Sequence, residues 1–303
     1  MGANPAWQKT LFFESFVPGQ VNRASREENY PSGKGVNFCR ALKSSAITEF
    51  KLFQFAGGNN GQKHCQALDR DGFDHETVIT AGETRNCITC LDRNGFMTEL
   101  IGVSVPVSDG ESRDMLDRLK SSLPQAAIFA ITGSLPDGSD PDLYPQAVAV
   151  ALENDIPVLI DSLVKTDAIM KLPGKIILKV NQEEFFKITG KNEIISAHRK
   201  VAALYPGKIF AITNGPDNAS LSDGRSIWSF QLPETEVVNP LGSGDTAAAV
   251  MSALTAIGES APEAFRQALA AASANCQTTV AGEFHPEKAA EIASKIKVSS
   301  IAL

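Results

Sequence analysis

Between Arg113 and Thr213, four short, almost uniformly apolar runs alternate with segments that carry helical signals. The runs are Ala126–Thr132, Pro157–Ile160, Ile176–Val180 and Lys208–Thr213. The helical segments are Arg113–Ser121, Pro141–Asn154, Glu183–Ile188 and Ile194–Leu204. A strand that is apolar on both faces cannot leave either face in water. Strands separated by helical crossovers return to the same end of a sheet and run parallel. The pattern predicts an α/β fold, with a central, mostly parallel sheet covered by helices on both faces. The chain has 303 residues, 43% of them hydrophobic. That is enough for one domain spanning 1–303.

Polar residues gather where these strands end, at Ser134, Asp161, Asn181 and Thr213. In an open parallel sheet the ligand crevice lies at the carboxyl ends of the strands. A second signal comes later. Asn239-Pro240-Leu241-Gly242-Ser243-Gly244-Asp245 runs into an alanine-rich stretch with no helix breaker before Gly258. Glycines opening a helix leave the first N–H groups without intrahelical partners, next to the positive end of the helix dipole. Such a turn is a socket for an anion. Asp245 stands inside it, where a carboxylate would repel a resident phosphate. It either caps the helix or takes the proton of a hydroxyl that attacks a phosphoryl group held by the amides. Pro31-Ser32-Gly33-Lys34-Gly35-Val36-Asn37 repeats the theme before a helix expected over Val36–Ser44, with a lysine between the glycines.

The N-terminal third reads differently. Thr10–Val17 is extended and hydrophobic, Gln20–Tyr30 is a polar surface stretch, Lys51–Ala56 a strand and Gln62–Asp71 a helix. Arg85–Leu91 and Thr98–Val103 flank Asp92-Arg93-Asn94-Gly95, a hairpin signal with no helix beside it. These pieces predict a small β-lid formed from about residues 8–30 and 84–105. A small sheet with one apolar face needs a cover, and a homodimer through the lid would supply it. The chain closes with a hairpin, Ala219–Asp223 and Ser226–Gln231, and two helices, Pro262–Val280 and Pro286–Lys297.

A net charge of −7 argues against nucleic acid as a partner. No apolar run reaches the length of a membrane span and no secretory signal is visible, so a cytoplasmic protein is expected. Five cysteines suit a reducing compartment. Cys87-Ile88-Thr89-Cys90 lies in an extended run that puts the two thiols on opposite faces, and the four histidines show no metal-ligand spacing. A dinucleotide-dependent oxidoreductase would carry its glycine loop in the first strand–helix turn, not near the end of the chain.

Several runs together resemble one family. They are Asn4-Pro5-Ala6, Ser32–Asn37, Gly82–Cys87, Gly133-Ser134-Leu135-Pro136, Asn181-Gln182-Glu183-Glu184 and, most specifically, Asn239–Asp245. With the lid and the strand order they resemble the ribokinase-like sugar kinases of the phosphofructokinase B type, and within these the 1-phosphofructokinases and tagatose-6-phosphate kinases. The resemblance covers nearly the whole chain. It implies an ATP- and Mg²⁺-dependent transfer to a sugar hydroxyl, the sugar being a phosphorylated ketohexose such as fructose 1-phosphate or tagatose 6-phosphate. Asp245 would be the base, with the amides of Gly242, Ser243 and Gly244 as the anion hole. Lys34 and Arg85 would hold the sugar's own phosphate; Gly35, Asn37 and Ser134 would contact the sugar. Lys179, Asn181, Thr213, Gly215 and Asn275 would face the nucleotide, and Glu184 would position Mg²⁺ through water. The chain departs from the pattern at Gln8, where the family has an aspartate on the sugar hydroxyls, at Asn218 in place of a glycine, and at Val180 in place of a proline. Gln8 keeps open two alternatives: a catalytically silent sugar- or nucleotide-binding protein, and a kinase of an unphosphorylated sugar or nucleoside.

Overall fold

The computed structural model describes residues 1–104 and 106–303. Its strands are β1 (Ala6–Phe13), β2 (Arg26–Ser32), β3 (Leu52–Gly57), β4 (His75–Thr80), β5 (Asn86–Asp92), β6 (Met97–Ile101), β7 (Phe129–Thr132), β8 (Val158–Asp161), β9 (Ile176–Asn181), β10 (Ile209–Thr213), β11 (Ala219–Ser222), β12 (Ser226–Gln231) and β13 (Lys297–Ala302). The helices are α1 (Lys34–Ser44), α2 (Gly58–Arg70), α3 (Asp109–Ser122), α4 (Leu143–Glu153), α5 (Thr166–Met170), α6 (Gln182–Thr189), α7 (Ile194–Leu204), α8 (Ser243–Ala256), α9 (Ala261–Asn275) and α10 (Pro286–Lys295).

The main sheet runs β13-β12-β11-β10-β9-β8-β7. β7 to β10 are parallel, and β11, β12 and β13 continue the sheet antiparallel. Strand alternation shows why both faces are apolar. Val158, Ile160, Ile176, Leu178, Phe210 and Ile212 point to one side, onto Met115, Tyr144 and Phe185 of α3, α4 and α6. Leu159, Ile177 and Ala211 point to the other, onto α8 and α9 through Ala248, Met251 and Phe265. Asp161 and Lys179 share that second face at the strand ends, and so point toward α8. β3 and β4 form a parallel pair. Residues 1–3 join this pair to β7: Gly2 N–H donates to Phe53 and Thr132 N–H donates to Met1, both at carbonyls.

The segments expected to form a lid build a four-stranded sheet in the order β2-β1-β5-β6. The stretch expected as polar surface, Gln20–Tyr30, contributes β2, which pairs antiparallel with β1 along its whole length. Its charged side chains face solvent, and the backbone ladder rather than an apolar stripe makes it a strand. The turn between β5 and β6 spans residues 92–96, with Gly95 at φ 80° and the Asp92 carboxylate accepting from Asn94 and Phe96 N–H. Val105, the expected last lid residue, lies outside the described residues.

Two closing helices are shorter than expected. α9 stops at Asn275 rather than Val280, because Asn275 turns its side chain onto the carbonyl of Glu283 at 2.8 Å and folds 276–284 into a loop. α10 stops at Lys295, and Lys297–Ala302 pairs with β12. β4 and β13 carried no clear alternation. Their pairing is a property of the neighbouring strand, not of their own sequence.

Candidate active site

α8 is entered through Gly242, whose φ of 83° is open to glycine. A Cβ there would also lie 2.7 Å from the Gly282 nitrogen and 2.8 Å from the Ala281 Cβ. At Gly244 a Cβ would come within 3.0 Å of the Lys179 Nζ. The first glycine thus makes the turn, and the second leaves room for an ammonium beside the helix start. The N–H groups of Gly242, Gly244 and Asp245 have no partner among the described residues, while Ser243 N–H makes a long 3.3 Å bond to the Pro240 carbonyl. Gly242, Ser243, Gly244 and Asp245 all line one cavity of about 810 Å³.

Asp245 is buried, at 6% exposure, on the first turn of α8. Its Oδ2 accepts from Asn37 Nδ2 at 2.8 Å, so the two glycine–helix motifs, far apart in sequence, meet at this bond. Burial raises the Asp245 carboxyl above its ordinary value. Lys34, the Asn37 hydrogen bond and Lys179 oppose the rise, and the negative charge of Asp161 adds to it. Asp161 is 3% exposed and lies between two lysines: Oδ1 is 3.3 Å from Lys34 Nζ and Oδ2 is 3.6 Å from Lys179 Nζ. Burial works against the charge on Lys34, but Asp161 and Asp245 outweigh it and raise the ammonium above the usual lysine value. A carboxylate able to accept a proton, bare amides and two ammonium groups thus face one space. That combination suits in-line transfer of a phosphoryl group to a hydroxyl.

The four-stranded sheet borders the cavity through Gln8 and Arg85, and Gly35, Asn37 and Ser134 line it as well. The Gln8 amide nitrogen donates to Thr89 Oγ1 at 2.9 Å and to the Lys9 carbonyl at 3.2 Å. A carbonyl only accepts, so this bond sets the amide's orientation and leaves its oxygen as an acceptor without a partner among the described residues. Arg85 donates from Nε to Pro5 O at 3.3 Å and from Nη2 to Asn4 O at 3.0 Å, with Nη1 unpartnered among the described residues. Ser134 Oγ accepts from Asn4 Nδ2 at 3.3 Å.

Lys179, Asn181, Glu184, Thr213 and Gly215 line the same cavity. Asn181 and Glu184 form a reciprocal cap of α6: Asn181 Oδ1 accepts from Glu184 N–H at 2.8 Å and Glu184 Oε2 from Asn181 N–H at 3.0 Å. Glu184 Oε1 has no partner among the described residues. Asn275 does not reach the cavity. It is fully buried and ties down the loop after α9, and Ser273 and Cys276 take the wall in its place. A helix register cannot be read from an alanine-rich sequence whose every face is small, so the residue facing the cavity was not legible.

Asp161 was visible in the sequence only as a polar strand end, without a role. Its contact with both lysines depends on the order of β8 and β9 in the sheet. Pro216, Val237 and Leu241 also line the cavity; Leu241 lies inside the Asn239–Asp245 run and Pro216 follows Gly215, while nothing in the local sequence marked Val237. Cys87 and Cys90 are buried, free and on opposite faces of β5; only Cys87 borders the cavity.

The fold matches solved structures over nearly its full length. One is Escherichia coli phosphofructokinase-2 in complex with fructose-6-phosphate, at 20% identity and TM-score 0.86, with 97% of each chain covered. Another is a candidate 1-phosphofructokinase from Thermotoga maritima, at 21% identity and TM-score 0.85, with 99% of this chain and 98% of that one covered. A candidate ribokinase from Agrobacterium tumefaciens aligns at 14% identity and TM-score 0.80, over 97% and 96%. At these identities the likeness is one of fold. The pfkB family carbohydrate kinase model matches residues 6–288, a span that holds Gln8, both glycine–helix motifs and Asp245. The chain therefore belongs to the pfkB family of carbohydrate kinases, and is a sugar kinase.

Proposed function

We propose that this sugar kinase transfers the γ-phosphoryl group of ATP to a hydroxyl of a phosphorylated ketohexose, with fructose 1-phosphate and tagatose 6-phosphate as the leading substrates. The observation that carries this reading is the buried Asp245 carboxylate beside unpartnered amides of Gly242 and Gly244, in one cavity with Lys34, Lys179 and Arg85. Asp245 takes the hydroxyl proton as the oxygen attacks phosphorus. The amides and Lys179 hold the charge on the transferred group. Lys34 sits close to both Asp161 and Asp245, so it serves the chemistry as well as the sugar. Arg85 holds the substrate's own phosphate through the nitrogens its backbone bonds leave free. Gln8 accepts from a sugar hydroxyl.

The base of the nucleotide lies among Pro216, Val237, Leu241 and Cys276, with Thr213 and Gly215 at its edge. Mg²⁺ fits this wall: Glu184 offers one free, hard carboxylate oxygen, and Mg²⁺ keeps most of its waters. When bound there it would neutralise phosphate charge. The lid exposes Phe96, Leu100, Ile101 and Val103 at 73%, 52%, 62% and 86%, which supports a homodimer through the lid; light scattering in solution checks it. Escherichia coli phosphofructokinase-2 has a tetrameric inhibited form.

The test is ADP release across fructose 1-phosphate, tagatose 6-phosphate, fructose-6-phosphate, fructose, ribose and adenosine. Preference for an unphosphorylated acceptor overturns the substrate assignment. Nucleotide binding with no turnover on any of them overturns the activity and leaves a silent binder.

A further inference from the structure

Arg40 lies one turn beyond Asn37 on α1 and is nine-tenths buried. Among the described residues it makes no ion pair. A buried guanidinium without a carboxylate is costly unless its donors are matched. Arg40 directs three hydrogen bonds to acceptors from three segments. Nη2 donates to Pro31 O at 2.8 Å, at the end of β2. Nη1 donates to Ala281 O at 2.7 Å, in the loop after α9, and to Asn37 Oδ1 at 3.2 Å.

Two consequences reach the site. The first concerns the Asn37 amide. Its Oδ1 faces the guanidinium and also accepts from Ser32 Oγ at 3.3 Å. A flipped amide would put N–H against N–H. The cation thereby forces the Nδ2 end toward Asp245, where it donates at 2.8 Å. The second concerns the loop. Ala281 and Gly282 are wedged between Asn37 and the start of α8. A Cβ on Gly282 would lie 2.3 Å from the Asn37 carbonyl oxygen, and one on Gly242 would lie 2.7 Å from the Gly282 nitrogen. Arg40 holds that wedge by the Ala281 carbonyl.

We infer that Arg40 is a positioning residue for phosphoryl transfer: through Asn37 and the Ala281 carbonyl it sets the Asp245 carboxylate and the α8 amides in register with each other. This rests on Asp245 being the base. The charged and titratable groups around Asp245 are Lys34 on α1, Asp161 on β8 and Lys179 on β9. Those around Arg40 are Tyr30, Cys39, Asp71 and Glu283, none of which touches the cavity.

The experiment compares Arg40→Lys, Arg40→Met, Asn37→Ala, the Arg40→Met/Asn37→Ala double variant and Asp245→Asn. It measures kcat and KM over pH, and thermal melting. Arg40→Lys keeps the charge but cannot fork to three acceptors. In both Arg40 variants we expect kcat/KM to fall about 100-fold, mostly in kcat, as for a small misplacement of reacting groups. The acidic limb of the kcat/KM profile moves to higher pH, because the Asn37 bond no longer favours the ionised carboxylate. Asn37→Ala moves it the same way, and the double variant is no worse than the poorer single by more than about threefold. A merely structural arginine lowers the melting temperature, leaves the limb in place and multiplies with Asn37→Ala; that outcome overturns the inference. If Arg40→Met does not fold, Arg40→Lys decides by the same two readouts, rate and limb. A dead Asp245→Asn with an unshifted Arg40→Lys sinks the inference alone, and an active Asp245→Asn sinks it together with the assignment of the base.

Discussion

Asp245→Asn should separate catalysis from stability in opposite directions. The substitution is isosteric, and its carbonyl oxygen can still accept from Asn37 Nδ2, so the bond between α1 and α8 survives. What disappears is the proton acceptor. General-base catalysis contributes about 10²–10⁴-fold, so kcat should fall by that factor, about 3–5 kcal/mol of barrier. Nucleotide affinity should change little, since the amides and Lys179 remain. Stability should not fall. Burial and Asp161 together outweigh Lys34, Lys179 and Asn37, and raise the carboxyl's pKa in the folded chain. A carboxyl raised on folding destabilises the native state where it is ionised, and the penalty fades as pH drops through the folded value. At neutral pH the neutral amide therefore melts at the same temperature as the parent or higher, and the difference narrows on acidification. The assays are coupled ADP release, nucleotide titration calorimetry and melting at several pH values. A variant within about threefold of parental kcat would refute the base. A melting temperature several degrees lower would refute the claim that the site disfavours the charge.

Three further outcomes follow from the same geometry. Arg85→Ala should raise KM for a phosphorylated ketohexose about 10- to 100-fold, the worth of a charge-assisted hydrogen bond, and leave KM for the unphosphorylated sugar within about threefold; steady-state kinetics on the two sugars checks it. Gln8→Ala should raise the sugar KM about tenfold without altering nucleotide affinity, because Gln8 lines the cavity with an amide oxygen that has no partner among the described residues. Buried His198, held between Ser220 and Ser222, is pushed down to about 4, and buried His64 to about 3, by desolvation. The unfolded chain binds protons on both below about pH 6.5 while the folded chain does not, so stability should fall as pH drops from about 6.5 toward 4. Urea titrations should show the loss, and a His64→Gln/His198→Gln variant should show a flatter profile.

What could be read in advance was whatever leaves a local, periodic mark. Strands β7 to β10 are apolar on both faces, and their alternation onto α8 on one side and α4 on the other is the pattern that demanded a covered parallel sheet. The glycine turn at 242–244 marked the proposed anion socket, because Gly242 holds a φ of 83° that few residue types allow. β13 and the loop after α9 left no such mark. Lys297–Ala302 is a strand because β12 offers it an edge, and α9 ends at Asn275 because a carbonyl eight residues on accepts its amide. The working parts of the site divide in the same way. Asp245 and the residues around Lys34 announced themselves through glycines beside helix starts, but that Asn37 bridges to Asp245 over 208 positions, that Asp161 lies between two lysines and that Arg40 bonds both Asn37 and the Ala281 carbonyl are facts of juxtaposition. A sequence specifies which groups can accept a proton or hold an anion. Only the packing of α1 against α8 across the ends of β8 and β9 decides which of them share one solvent-poor space, where a carboxylate's charge becomes expensive and therefore useful.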